Sequence, residues 1–252
     1  MYFFSVLYNP GANALINVRN SILAGFKPII YLNKVSDDFL VSLKGYDVVI
    51  LGDNVNAGLG VAFNEVGLYL QAKDAGSFIY FDQDTIVSED AWRKISETYM
   101  NYIDKDNVGV IYYNDLSLNK FSNVVISSGC FFSIRALGDI NYHDKTYFVE
   151  GVDYDVCLRL SNAGYKIKSI VLDGIDHKTL QDRNIIKVFG KEIDARLYGW
   201  HRLKDFNISH FKLLYRSLVS FNFSFFLYFL RSLVLFNFGQ LYNKVLTVVF
   251  KC

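Results

Sequence analysis

Apolar and polar positions alternate in blocks along the first two-thirds of the chain. Short apolar runs of strand length are separated by stretches with helical periodicity. Tyr2–Tyr8 reads as a strand, closed by Asn9-Pro10-Gly11, and Ala12–Ala24 as a helix. Pro28–Leu32 is a second strand and Asp37–Leu43 a short helix. Asp47–Leu51 is continuously apolar after its first residue, which predicts a strand buried on both faces. Ala57–Ala72 is helical, with Leu59, Ala62, Phe63, Val66 and Leu70 on one face. Ser77–Phe81 is a strand and Ser88–Tyr102 a helix, with Ser88 at the N-cap and Glu89 and Asp90 in the first turn. This order predicts an α/β fold, a Rossmann-like, mostly parallel sheet with right-handed crossovers.

In such sheets ligands bind beyond the carboxyl ends of the strands. The loops there carry Asn9, Asn33, Asp53-Asn54 and Asp82-Gln83-Asp84. Two carboxylates at i and i+2 repel one another, and a divalent cation removes that cost; Mg²⁺ takes one or two protein carboxylates plus substrate phosphates. Two acids in a turn also occur as a plain solvated turn. The apolar strand immediately before them places this pair at a strand mouth. A second cluster, Phe148-Val149-Glu150-Gly151-Val152-Asp153, opens a helix that runs to Ala163 and stops at Gly164. Glu150 and Asp153 read first as N-terminal capping acids, with a catalytic base at Asp153 as the alternative. His177 follows the strand Lys166–Leu172, and an imidazole near two carboxylates would complete a metal site.

Composition alters this picture at one place. The formal net charge of +1 gives no reason to expect nucleic acid. Yet residues 201–252 hold seven Lys/Arg against the single acid Asp205, so an acidic body precedes a basic tail. Ten of the 22 Phe lie in that tail. Read as one helix, it puts Lys212, Arg216, Ser220, Ser224 and Arg231 on one side. Leu214, Leu218, Phe221, Phe225, Phe229 and Phe236 fall on the other. A basic, aromatic helix suits an anionic membrane interface, and packing on the sheet or in a homo-oligomer is the alternative. The organisation expected is a body over 1–200 followed by the tail 201–252. The three cysteines, Cys130, Cys157 and Cys252, form no CxxC, which fits a reducing cytoplasm. Tyr2–Tyr8 lacks a preceding basic region and reads as a strand, not a leader.

Several segments, in order, resemble glycosyltransferase family 2, particularly its rhamnosyltransferase-like branch. They are Asn56-Ala57-Gly58-Leu59-Gly60-Val61-Ala62-Phe63-Asn64, Ile79-Tyr80-Phe81-Asp82-Gln83-Asp84-Thr85 and Ile126-Ser127-Ser128-Gly129-Cys130. The series continues with Phe148–Asp153, Arg159–Tyr165 and His177, so the resemblance covers residues 46–182. It implies a GT-A catalytic domain over 1–200, with a nucleotide-sugar half to about 105 and an acceptor half from 106, and an inverting transfer from a nucleotide-sugar. Asp82 would lie at the ribose or its metal, and Asp84 would ligate Mg²⁺ or Mn²⁺. Asp153 would be the base, and His177 would approach the metal or diphosphate. Asn56, Gly58 and Asn64 would shape the nucleotide edge, and Gly129 would let backbone approach the donor or acceptor. Asn9 and Asn33 join them as donor-site candidates. The family's usual acidic loop after the second strand is replaced here by Tyr31-Leu32-Asn33-Lys34-Val35-Ser36, so the base is not read from it. The donor expected is dTDP-rhamnose, with a UDP-sugar for galactosyl or galactofuranosyl transfer next. The acceptor expected is a lipid-linked saccharide at the cytoplasmic face of the inner membrane, in O-antigen or capsule synthesis. Two other readings remain: Asp82-Gln83-Asp84-Thr85 also resembles the first motif of haloacid-dehalogenase-like phosphatases, and the fold could serve as a non-catalytic assembly subunit.

Overall fold

A computed structural model describes residues 1–114, 123–177, 185–188, 191–194 and 198–249. Two compact units are present, Met1–Lys178 and Thr179–Cys252.

The first unit runs β1 (Tyr2–Tyr8), α1 (Asn13–Leu23), β2 (Lys27–Lys34), α2 (Asp37–Leu43), β3 (Val49–Leu51), α3 (Leu59–Ala72) and β4 (Ser77–Tyr80). It continues with β5 (Thr85–Val87), α4 (Glu89–Thr98), β6 (Val108–Asn114), β7 (Cys130–Ser133), α5 (Ile134–Asp139), α6 (Val152–Asn162), β8 (Lys166–Val171) and β9 (Ile175–His177). Seven strands form one sheet in the order β3-β2-β1-β4-β7-β6-β8. All are parallel except β7, which pairs antiparallel with β4 and β6. The expected α/β, mostly parallel sheet flanked by helices is therefore present. The strand near Asp47–Leu51 departs from expectation. Only Val49–Leu51 pairs, at the sheet edge, and Ile50 is 47% exposed, because among the described residues no strand lies beyond it. An unbroken apolar run does not tell an edge from a centre.

Period-two alternation in the strands divides the aromatic residues between two layers. Phe3, Phe26 and Phe81 surround Trp92 with centroid distances of 4.9, 5.1 and 5.3 Å. Phe4 packs edge-on against Phe63 on the other face, where Phe63 also meets Tyr80 and His143. Ser88 caps α4 by accepting from Ala91 N–H, as its sequence position predicts. A second sheet of two antiparallel strands, β5 and β9, pairs Thr85 with His177.

The second unit contains a strand pair, β10 (Ile185–Val188) with β11 (Lys191–Asp194), and two long helices, α7 (Trp200–Val219) and α8 (Phe223–Val249). The tail is thus not one helix. The chain turns at 220–222, where Phe221 takes φ 55°, and α8 runs back along α7. Asn207 and Asn237 exchange amide hydrogen bonds of 3.2 and 2.9 Å. His210 Nε2 lies 3.0 Å from Ser232 Oγ, and Phe206 stacks on Phe236 at 3.6 Å. This seam buries Phe225 and Phe229, which the single-helix reading had facing a membrane.

Candidate active site

The site forms where β4 ends. Tyr80 is the last residue of that strand, and its hydroxyl donates to Asp82 Oδ1 at 2.6 Å. The turn Asp82–Thr85 closes with Thr85 N–H donating to the Asp82 carbonyl. The middle residue Gln83 reaches sideways. Its Oε1 accepts from Tyr8 N–H at 2.8 Å and its amide donates to the Tyr8 carbonyl at 2.9 Å, tying the turn to the mouth of β1. From below, Asn17 on α1 holds β5: its Oδ1 accepts from Val87 N–H and its amide donates to the Thr85 carbonyl.

Ser127 and Ser128 join the two acidic clusters. Ser128 Oγ accepts from Asp82 N–H at 3.1 Å and lies 3.1 Å from Thr85 Oγ1. Ser127 Oγ donates to Asp153 Oδ1. Adjacent residues of one segment therefore grip Asp82 and Asp153, which are distant in sequence. Gly151 opens α6 with φ 83°, and Asp153 lies in that helix's first turn. Both carboxyls keep some accessible surface yet are enclosed by protein on most sides. Burial pushes Asp82 up to about 7; the Tyr80 hydroxyl opposes this, while Asp153 and Asp84 add to it. Burial likewise pushes Asp153 up to about 6, opposed by Ser127 and reinforced by Glu150. The carboxylates interact unfavourably, and among the described residues no Lys or Arg ion pair reaches Asp82, Asp84 or Asp153. When ionised, these carboxylates are acceptor-only and suit a cation. Asp82 and Asp84 are the oxygen donors there that would hold a divalent cation. Among the described residues no group of three or more His, Cys, Asp or Glu makes a complete metal site. The backbone of His177 pairs beside Thr85, one residue from Asp84; its side chain lies outside the described residues.

The other candidates have structural tasks in view. Asn33 is buried and accepts from Ala57 N–H at 3.2 Å. Asn56 accepts from Gly58 N–H, and Asn64 is buried with its amide on the His143 carbonyl at 2.7 Å. Asn9 is exposed at the end of β1 with φ 45°. A Cβ on Gly58 would meet the Phe148 carbonyl oxygen at 2.5 Å, and one on Gly60 the Tyr147 carbonyl oxygen at 2.3 Å. The Asn56–Asn64 segment thus docks the 143–148 loop that leads to Asp153. Gly129, with φ 92°, lets its strand approach the Tyr113 carbonyl, which a Cβ would meet at 2.3 Å. Sequence reasoning did not assign Tyr80, Ser127 or Ser128. The two serines stood within a quoted segment, but nothing in spacing reveals that one reaches the Asp82 backbone and the other the Asp153 carboxylate.

No protein-family model matches the chain, and no curated protein matches it in sequence. Solved structures do. TarS residues 1–349 from S. aureus superpose with a TM-score of 0.52 at 12% identity, covering 69% of this chain and 59% of that one. Longer S. aureus TarS gives a TM-score of 0.50 at 10% identity, covering 69% and 36%. TarS 1–349 in complex with UDP-GlcNAc gives 0.49 at 11% identity, covering 69% and 57%. The chain thus spans less than two-thirds of these proteins. The sheet order, the flanking helices and this likeness define a GT-A-like fold.

Proposed function

We propose that the protein is a glycosyltransferase that moves a sugar from a nucleoside-diphosphate sugar to a hydroxyl of a saccharide acceptor. The observation that carries this reading is the Ser127–Ser128 bridge, which brings Asp82 and Asp153 together at a strand mouth of a GT-A-like sheet.

The residues suit an inverting displacement at the anomeric carbon. Asp153 accepts the acceptor hydroxyl proton; with its carboxyl near 6 it is ionised at neutral pH yet more basic than an exposed aspartate. Ser127 holds one of its oxygens and fixes the rotamer. Asp82 and Asp84 would hold Mg²⁺ or Mn²⁺, which when bound neutralises charge on the departing diphosphate. The resemblance adds His177 to that site as a third group. The transition state has oxocarbenium character, as in glycoside hydrolysis, and no protein nucleophile is needed. The resemblance to the rhamnosyltransferase-like branch favours dTDP-rhamnose, then UDP-linked galactosyl or galactofuranosyl donors. A lipid-linked acceptor in surface-polysaccharide assembly completes the reading. The phosphatase alternative places its nucleophile after the first strand, whereas Asp82 follows β4.

The test is a thermal-shift screen of dTDP-rhamnose, UDP-galactose and UDP-GlcNAc with Mn²⁺, followed by transfer assays. Asp153→Asn is expected to keep donor binding and lower transfer by about 10²-fold or more. Asp84→Ala is expected to weaken metal-dependent donor binding. Undiminished transfer by Asp153→Asn removes the base assignment. A wild-type protein that binds no sugar nucleotide removes the function.

A further inference from the structure

The hairpin of α7 and α8 distributes polarity in an unusual way. Its seam holds Asn207, Asn237, His210 and Ser232 in mutual hydrogen bonds, and Gln240 Oε1 accepts from Tyr198 N–H at 3.1 Å. Ser209, Ser217 and Gln240 are buried. The outward face of α8 is instead apolar. Phe223, Leu227, Leu230, Val234, Phe238 and Leu241 are exposed by 58, 64, 39, 57, 45 and 63%. They recur at intervals of three or four residues and form one stripe about 27 Å long. Helices that hide polar groups from one another and present apolar groups outward are arranged for an apolar surround.

Charge decides among the possible occupants. Arg231 and Lys244 are exposed and, on the helical wheel, flank the stripe on its two sides. Residues 201–252 as a whole carry seven Lys/Arg and one acid. A second copy seated on this stripe would bring a like-charged rim against itself, which disfavours the pairing. A bilayer with anionic headgroups accepts both features: acyl chains take the stripe, and phosphates take the flanking cations. Spanning is opposed by the partner helix. The segment Phe223–Tyr242 has the length to cross a membrane, but α7 runs beside it with Arg202, Lys204, Asp205, Lys212 and Arg216. Crossing would carry those charges into hydrocarbon.

We infer that α8 lies in the plane of an anionic lipid surface, with the Phe223–Leu241 stripe buried among the acyl chains and Arg231 and Lys244 at the phosphates. The lipid-facing side is therefore the one opposite Phe225 and Phe229. The inference concerns the second unit and does not depend on the proposed activity.

The experiment uses the full chain and vesicles of phosphatidylcholine, with or without phosphatidylglycerol at about a third of the lipid, enough to set a negative surface potential. Sedimentation is expected to show at least about tenfold stronger binding to the anionic vesicles, weakening with salt. The double change Leu227→Glu with Val234→Glu is expected to abolish it, whereas Val41→Glu on α2 of the first unit leaves it unchanged. In case the double variant misfolds, Leu227→Trp gives a conservative second measurement. Its added fluorescence is expected to be quenched by brominated phospholipid and to blue-shift on binding. Failure of the wild type to bind, equal binding by the double variant, or unquenched emission from the introduced indole would each overturn the inference. So would a lipid-free dimer that the same double change dissociates, since that outcome assigns the stripe to a second copy.

Discussion

Asp82 and Asp153 are costly residues in their present surroundings, and that cost has a measurable sign. Each carboxyl is raised, to about 7 and about 6, chiefly by burial. A folded carboxyl with a raised pKa retains its proton where the unfolded chain has lost it. Without cation, their contribution to stability is therefore present below about pH 4 and is lost as pH rises through about 6 to 7. A cation needs the ionised form, so its binding should expel a proton near neutrality. Calorimetric titration of Mn²⁺ at about pH 6.5, between the two raised values, in two buffers of different ionisation enthalpy is expected to show proton release, absent in Asp82→Asn. Equal heats in the two buffers would contradict it. Ser127 lowers the Asp153 pKa by donating to it. Ser127→Ala should thus move the acid limb of the transfer rate to higher pH, with donor affinity little changed.

At the scale of elements, α3 acts as a docking rail for the loop that leads to Asp153. Leu59 N–H donates to the Phe148 carbonyl, and Gly60 lies against the Tyr147 and Asp144 carbonyl oxygens. Gly67 sits under the Tyr142 ring. Backbone atoms cannot give way as a side-chain end can. Gly60→Ala should cost about 1–3 kcal/mol of stability. It should lower kcat more than donor affinity, because the loop leads into α6 and Asp153. Gly76→Ala, with no atom within 4 Å of the added carbon, is the control expected to be neutral in both. Denaturant midpoints and transfer kinetics of the two variants decide this. The glycines themselves were visible in the sequence, but their purpose was not. Asn56, Gly58 and Asn64 read as a nucleotide edge by resemblance, and the partners that Gly58 and Asn64 touch lie about 80 to 90 residues further along the chain. Local elements were far more legible. The Asp37–Leu43 helix, the Ser88 cap and the Gly164 stop follow from side-chain and backbone preferences that act within a few residues. The turn at 220–222 escaped notice because no Pro or Gly marks it, and Phe221 adopts the left-handed conformation unaided.

The whole molecule divides at 178/179 into two units whose buried titratable groups differ. In the second unit His210 is buried in the hairpin seam, and burial lowers it to about 4. A base with a lowered folded pKa takes up its proton only in the unfolded chain as pH falls below about 6.5. The hairpin should therefore lose stability between about pH 6.5 and 4, by up to about 3 kcal/mol. Hydrogen exchange followed by mass spectrometry, corrected for intrinsic rates, should show α7 and α8 losing protection across that range. His210→Leu should remove the dependence. Constant protection of these helices from about pH 7 to 4 would contradict it.

The sequence by itself determined the alternation of strands and helices, the position of the Asp82-Gln83-Asp84 turn at a strand mouth, and the contrast between an acidic body and a basic tail. Those properties depend on neighbours in the chain or on sums over it. Only the tertiary structure decided that Val49–Leu51 is an edge, that Ser127 and Ser128 join Asp82 to Asp153, and that the tail folds back so that a different face is left outward. Each of these depends on residues brought together from distant positions, where periodicity and spacing carry no information about which groups will meet.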